Sequence, residues 1–193
     1  AIPGLDMVRP GDANETAFAW KTMLERRQGP AGIALTRQNI PVFKRGEADA
    51  TGAVFAGAEN TSKGAYILVD AANGKPQLIL IATGSELQLA VSAREQLEQQ
   101  GISTRVVSAP CLEWFDEQSD AYRESVLPKA VTARVSVEAG LSLGWSKYVG
   151  AFGRSVSIEH FGASADYKTL FREFGMTTES VVAKAHESIS ASK

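Results

Sequence analysis

Arg37 is the residue whose type and position most favour ligand chemistry. It directly follows residues 31–36, a short apolar run that is typical of a buried strand. Ligands of α/β proteins bind beyond the carboxyl ends of the strands, and a guanidinium presents a planar fork of donors that matches a phosphate. The residues alone therefore leave two interpretations of Arg37 open, a phosphate contact and a surface ion pair.

Gly84 and Ser85 are candidates for a weak anion site. They lie between a predicted strand at 77–82 and a predicted helix that ends near Gln100, and backbone N–H groups at the start of a helix attract anions. The segment has one glycine only, so it lacks the G-x-G-x-x-G fingerprint of dinucleotide sites. Ser85 as the N-cap of an ordinary helix is the favoured interpretation, and an anion site is the alternative.

The remaining reactive side chains do not form a catalytic set. His160 and His186 have neither a nucleophile nor a metal-ligand spacing near them. Cys111 has no histidine close in sequence to activate it, which favours a buried and inert thiol. Glu138 ends a predicted strand, where functional groups and charged turn residues both occur. We therefore assign no catalytic residue and no metal ligand.

The composition is that of an ordinary globular protein. Of the 193 residues, 44% are hydrophobic and 22% are charged. The net charge of -2 gives no electrostatic reason to bind nucleic acid or an anionic membrane. A single cysteine excludes an internal disulfide and favours a cytoplasmic location. The chain starts with Ala1 and without a signal peptide pattern, and we expect a processed protein or a part of a longer one.

The predicted elements divide the chain at a long irregular segment. Before it, a helix with Asp12 as N-cap and Glu15 in a capping box precedes the strand at 31–36. These few elements cannot bury both faces of a sheet, so they predict an incomplete α/β piece. Residues 37–63 then lose all periodicity, which is typical of a linker or a functional loop.

From about Gly64 onward, strands and helices alternate. Predicted strands at 65–70 and 77–82 enclose Asn73-Gly74, a hairpin signal that predicts antiparallel pairing of the two. The later elements follow a regular strand–helix alternation. We predict a three-layer α/β fold whose sheet is mostly parallel and has one antiparallel strand.

Six segments of the chain resemble transketolase. The segment LTRQNIP is similar to the "SRQNLP" stretch of that family, with Thr36 for serine and Ile40 for leucine. The segments that match, in the family's order, are RPGDANE at 9–15, LTRQNIP at 35–41, IATGSE at 81–86, YRESVLP at 122–128, VEAG at 137–140 and FGASA at 161–165. Since they extend over essentially the whole chain, we identify it as a member of this family.

The resemblance implies the C-terminal part of a transketolase, with a remnant of the pyrimidine-binding domain at 1–41, a linker at 42–63 and the C-terminal domain at 64–193. The whole enzyme would be a cytoplasmic homodimer. With thiamine diphosphate and Mg²⁺ or Ca²⁺ it would move a two-carbon ketol unit between sugar phosphates of the pentose phosphate pathway. The family role that carries over is substrate-phosphate binding by Arg37.

The family's cofactor, metal and catalytic motifs have no matching positions in this chain. We therefore expect the isolated chain to be inactive and to bind no cofactor. Other thiamine-diphosphate enzymes, 1-deoxyxylulose-5-phosphate synthase or the β subunit of a 2-oxo acid dehydrogenase, are alternatives that the RQN stretch argues against. A non-catalytic dimerisation or anion-sensing domain is the alternative from another class.

Overall fold

The computed structural model describes residues 2–193, which form a two-stranded sheet and a five-stranded sheet. The strands are β1 Asp6–Val8, β2 Ala31–Ile33, β3 Tyr66–Val69, β4 Leu78–Ala82, β5 Thr104–Ser108, β6 Arg134–Val137 and β7 Arg154–Val156. The α-helices are α1 Ala13–Glu25, α2 Leu87–Gln99, α3 Leu112–Asp116, α4 Asp120–Val126, α5 Ser146–Val149, α6 Tyr167–Glu173 and α7 Thr178–Ala191. Among these residues, no helix combines the length and the apolar character that crossing a membrane requires.

The five-stranded sheet has the strand order β3-β5-β4-β6-β7. β4 is parallel to both β5 and β6, and β6 is parallel to β7. β3 alone runs antiparallel, along β5. The predicted fold class, a mostly parallel sheet with one antiparallel strand, is therefore confirmed.

The predicted hairpin between the first two strands of this sheet is wrong, because β3 pairs with β5 and not with β4. Both edges of β4 are taken by parallel partners that return through helical crossovers, so the outer edge of β5 is left for β3. Gly74 does adopt the left-handed φ of a turn, at 69°. The connection 70–77 is nevertheless much longer than the two-residue loop of a tight hairpin.

Helices cover both faces of the larger sheet, as the alternation of side chains along β4 illustrates. Leu78, Leu80 and Ala82 share a buried cluster with residues of α2 and α7. Ile79 and Ile81 face the other way, into a cluster with residues of α3, α4 and α5. This gives three layers, as the sequence predicts, and explains why every residue of β4 is apolar and buried.

The N-terminal piece is a single β1–α1–β2 unit with parallel strands. Helix α1 begins where predicted, because the Asp12 side chain accepts a hydrogen bond of 2.7 Å from the Glu15 N–H. Its buried residues are Glu15, Ala19 and Thr22. Trp20 and Leu24 are exposed instead, so the apolar face of this helix points away from the rest of the chain.

The segment 42–63 packs against the C-terminal part of the chain. Phe43 and Phe55 are buried and stacked, with 5.4 Å between their ring centroids. Arg94 of α2 forms a buried ion pair of 2.5 Å with Asp49. A 3₁₀ turn, Ala58–Lys63, ends the segment. The boundaries 1–41, 42–63 and 64–193 stay a prediction, but the middle segment is folded onto its neighbours.

Candidate functional site

Arg37 lies beyond the carboxyl end of β2, in a bend, with an exposed side chain. Thr36 shapes this bend by donating a hydrogen bond of 3.1 Å from its hydroxyl to the Gln38 carbonyl. Within residues 2–193, the Arg37 guanidinium makes no hydrogen bond and no ion pair. Its five N–H donors are therefore not engaged by acceptors of the described residues, which leaves them available to a ligand.

Gly84 and Ser85 lie in a buried 3₁₀ turn between β4 and α2. A Cβ atom on Gly84, which has a φ of 60°, would lie 3.1 Å from Nη2 of Arg9. Glycine thus permits the close approach of that guanidinium. The Ser85 hydroxyl donates to the Glu86 carboxylate at 2.5 Å. Thr83, and not Ser85, takes the N-cap position of this turn, and its side chain makes no capping hydrogen bond.

This arrangement bears on the anion hypothesis for Gly84 and Ser85, which stays a prediction. The Gly84 N–H already donates to the Arg9 carbonyl at 3.0 Å. The buried carboxylate of Glu86 lies next to Ser85. The Arg9 guanidinium beside Gly84 is already paired with Glu86 and Glu138. It therefore offers no unpaired charge to an anionic ligand, and the Glu86 carboxylate would repel one.

Arg9 bridges two carboxylates at the carboxyl edge of the larger sheet. Its Nη2 is 2.9 Å from Oε2 of Glu86, and its Nη1 is 2.7 Å from Oε1 of Glu138. Burial lowers the pKa of Arg9, but the charges of Glu86 and Glu138 outweigh that effect and raise it overall. We call Arg9, Glu86 and Glu138 the Arg9 cluster.

Both carboxylates of the Arg9 cluster are held from a second side. The Ala139 N–H donates to Oε2 of Glu86 at 3.1 Å. The Trp145 indole N–H donates to Oε2 of Glu138 at 2.6 Å. Glu138, which the sequence left open between a functional and a turn residue, thus lies in an ion pair between the two sheets.

Glu15 forms a second polar connection between α1 and the larger sheet. Its Oε1 accepts hydrogen bonds from the Tyr66 hydroxyl at 2.6 Å and the Ser108 hydroxyl at 2.7 Å. Its Oε2 accepts from the Gly11 N–H at 2.6 Å. Burial raises the pKa of Glu15, although these three bonds oppose that effect. Residues 9–15 therefore fill the strand-end edge at which α/β sheets usually bind ligands.

The other reactive residues remain apart from one another. His160 is exposed, and its Nδ1 lies 2.7 Å from the Phe161 carbonyl. His186 is exposed as well and bonds to Gln100 at 2.9 Å. Cys111 is buried, and burial raises the pKa of its thiol. Within residues 2–193, no three His, Cys, Asp or Glu side chains group in a way that could hold a metal ion.

Sequence reasoning missed the roles of Arg9 and Glu86. A local signal did exist at residues 9–15, since the capping box marked Asp12 and Glu15 as ordered. The partners of Arg9 lie 77 and 129 residues away in the chain. The periodicity of residues within one helix or strand gives no information on contacts between residues so far apart in the sequence.

Comparison with known proteins gives the context of this geometry. Residues 64–177 match the family model described as the transketolase-like TK C-terminal domain. The transketolase of Mycobacterium leprae is 52% identical over 97% of this chain and 26% of its own length. A transketolase structure from Leishmania mexicana matches with a TM-score of 0.84 and 39% identity over 97% of this chain and 26% of its own.

A structure of Pichia stipitis transketolase in complex with sedoheptulose 7-phosphate has a TM-score of 0.84 and 38% identity to this chain. It is matched over 98% of this chain and 26% of its own. This chain thus spans about a quarter of the length of the relatives it matches. Because the family model covers more than half of its residues, the chain belongs to the transketolase-like TK C-terminal domain family.

Proposed function

We propose that this chain is the C-terminal part of an enzyme that transfers a two-carbon ketol unit between sugar phosphates, and that Arg37 binds the substrate phosphate there. The relatives are named transketolase, and one similar structure contains a sugar phosphate. The observation that carries the proposal is the exposed guanidinium of Arg37, which lies at a strand's carboxyl end and contacts no acceptor within residues 2–193.

The cofactor chemistry belongs to other parts of such an enzyme. Thiamine diphosphate and Mg²⁺ or Ca²⁺ would supply the group that accepts and releases the ketol unit. The described residues contain no metal-holding group, so no step of that chemistry is assigned to them. We propose that the isolated chain is inactive and that the whole enzyme is a cytoplasmic homodimer.

A non-catalytic anion-sensing domain built around Gly84 and Ser85 is the alternative function. The Arg9 cluster argues against it, because it brings the carboxylate of Glu86 next to Ser85. The cation beside Gly84 is Arg9, and both of its Nη atoms are already paired with carboxylates. Arg37 is therefore the better candidate for a phosphate contact.

The test uses the full-length enzyme that contains this chain. Xylulose 5-phosphate and ribose 5-phosphate are supplied with thiamine diphosphate and Mg²⁺, and ketol transfer is compared with that of the 193-residue chain. Arg37→Ala should raise the KM for phosphorylated substrates by roughly 10- to 100-fold, because a hydrogen bond to a charged group contributes about 1.5–3 kcal/mol. The value of kcat should change less, since the contact serves ground state and transition state alike.

Arg27→Ala is the matched control. Arg27 is exposed too and, within residues 2–193, has no ion pair, but it precedes β2 and so lies at the opposite end of the strand. The KM of the Arg27→Ala enzyme for phosphorylated substrates should stay unchanged. An equal rise for both variants would refute a specific contact at Arg37, and absence of turnover by the loaded full-length enzyme would refute the ketol-transfer proposal.

A further inference from the structure

We propose that Arg9 is a positioning residue: together with Glu86 and Glu138 it fixes the strand edge that carries Arg37. This inference rests on the proposed phosphate contact of Arg37. It assigns residues of the C-terminal domain an indirect part in substrate recognition, through Arg9.

Arg9 and Arg37 follow neighbouring strands that run in the same direction. Arg9 directly follows β1, and Arg37 lies shortly after β2. Val8 and Ile33 are register partners, so the two carboxyl ends are level. The Ala34 N–H donates to the Val8 carbonyl at 2.9 Å. A displacement of the backbone at Arg9 should therefore also displace the end of β2, to which it is hydrogen-bonded through Val8 and Ala34.

The backbone of Arg9 is bonded to two strand ends of the larger sheet. Its N–H donates to the Pro110 carbonyl at 2.7 Å, just beyond β5. Its carbonyl accepts from the Gly84 N–H at 3.0 Å and from the Thr83 hydroxyl at 3.2 Å, just beyond β4. Both groups of the Arg9 peptide backbone thus depend on the C-terminal part of the chain.

The side chain of Arg9 adds a charged connection to the end of β6 and the start of α2. Glu86 is only 1% exposed, and removing one partner of such a buried pair leaves an uncompensated charge. Glu138 is restrained further by the Trp145 indole. An arginine held at both Nη atoms has a defined orientation, which a single hydrophobic contact would not give.

The apolar packing of the N-terminal piece on the C-terminal part includes one small cluster of four buried residues. Met7 of β1 and Leu35 beyond β2 are both exposed. The buried apolar residues Val8 and Ala19 of the piece share this cluster with Cys111 and Trp114. This cluster and the hydrogen bond of 2.6 Å from the Trp114 indole to Asp6 hold β1. The contacts of Arg9 add the directed bonds at the carboxyl end of β1, next to β2.

The experiment measures KM and kcat of the full-length, cofactor-loaded enzyme with xylulose 5-phosphate and with xylulose. Arg9→Met and the milder Glu138→Gln should each raise the KM for the phosphorylated ketose. We expect roughly a 10-fold rise, below the ~10²-fold that a misplacement of 1 Å can cause. The kcat value and the KM for xylulose should change by less than about twofold, because neither depends on the phosphate contact.

Asp70→Asn separates positioning from a general loss of stability. It breaks the ion pair of 2.8 Å between Asp70 and Arg105, which lies within the C-terminal part near the amino end of β5. The melting temperature should fall while KM for both substrates stays unchanged. A KM for the phosphorylated ketose that rises as much in this variant as in Glu138→Gln would overturn the proposal.

The double variant Arg9→Met/Arg37→Ala gives the decisive comparison. If Arg9 acts through Arg37, Arg9→Met should raise the KM for the phosphorylated ketose hardly at all in an enzyme that already carries Arg37→Ala. The effects of the two substitutions on KM are then not additive. Full additivity would overturn the positioning role. A rise in KM for Arg37→Ala but not for Arg9→Met or Glu138→Gln would overturn it as well and leave the phosphate contact standing. An unchanged KM in Arg37→Ala would overturn both.

Discussion

The N-terminal piece and the C-terminal part of this chain are held in different ways. In the C-terminal part, β4 is buried along its entire length and lies between two helical layers. In the N-terminal piece, large apolar side chains face solvent: Trp20 is 47% exposed and Leu24 is 71% exposed. The N-terminal piece is therefore placed by one small apolar cluster together with hydrogen bonds and ion pairs. The C-terminal part is held by an extensive hydrophobic core.

The difference separates stability from orientation. Burying one large apolar side chain contributes about 1.5–3 kcal/mol, whereas a typical hydrogen bond contributes about 1 kcal/mol net. Hydrophobic contact has no preferred direction, but the bonds of Arg9 and Glu15 join defined atoms at defined angles. We therefore expect the C-terminal part to supply most of the folding free energy, and the polar contacts to orient the ends of the N-terminal strands.

The largest effect is expected at the segment that joins the two regions. Arg94 is wholly buried, pairs with Asp49 and donates to the carbonyls of Asp70 and Thr104. Arg94→Met would leave the Asp49 carboxylate buried without its partner. We expect the free energy of unfolding to fall by about 3–5 kcal/mol, as measured by urea denaturation of the 193-residue chain.

Lys44→Met is the control for this substitution. Lys44 lies in the same segment, but it is exposed, and so is its partner Glu47 at 3.5 Å. Its loss should change the free energy of unfolding by less than about 0.5 kcal/mol. A similarly small effect for Arg94→Met would mean that residues 42–63 are a loose linker and do not belong to the folded C-terminal part.

The same substitution, leucine to alanine, in each of the two regions tests whether they differ in apolar packing. Leu80→Ala removes a side chain from the middle of the core, where exposure is 0%. It should lower the free energy of unfolding by about 2–5 kcal/mol. Leu24→Ala removes the same atoms from the outer face of α1 and should cost less than about 0.5 kcal/mol. Equal costs would show that the face of α1 is covered in solution, for example by a second copy of the chain.

Local patterns were sufficient to predict most of the C-terminal part. The helical spacing of Leu87, Ala90 and Leu97 indicates the buried face of α2, and all three are fully buried. The predicted strand at 104–108 coincides with β5. These features depend on neighbours a few residues apart, and such neighbours are visible in a sequence.

Features that depend on distant partners could not be predicted in this way. The Asn73-Gly74 turn signal is local and suggests that β3 pairs with β4. It contains no information on the free edge of β5, with which β3 in fact pairs. The position of Arg37 at a strand end could be predicted, because it follows a short apolar run. The Arg9 cluster could not be predicted, because its carboxylates lie far from Arg9 in the sequence and contact it only in the folded chain.

The smallest effect concerns the charge of Glu15, a buried carboxylate between the two regions. Burial raises its pKa above the ordinary value of about 4.3, so the folded chain binds this proton more tightly than the unfolded chain does. The contribution of Glu15 to the free energy of unfolding therefore falls as pH rises through the window between these two pKa values. In Glu15→Gln this contribution is absent. Relative to the unaltered chain, the variant should gain stability as pH rises from the ordinary carboxyl range through this window.

Glu187→Gln should give the opposite sign and so serves as the matched control. Glu187 lies on the surface of α7, and its hydrogen bond with Lys184 lowers its pKa. Its contribution is present above the unfolded-state pKa and is lost as pH falls through the folded-state value. Urea denaturation across this pH range measures both differences. If Glu15→Gln followed the sign of Glu187→Gln, the hydrogen bonds from Tyr66, Ser108 and Gly11 would outweigh burial, and the contact between the two regions would be strongest with Glu15 ionised.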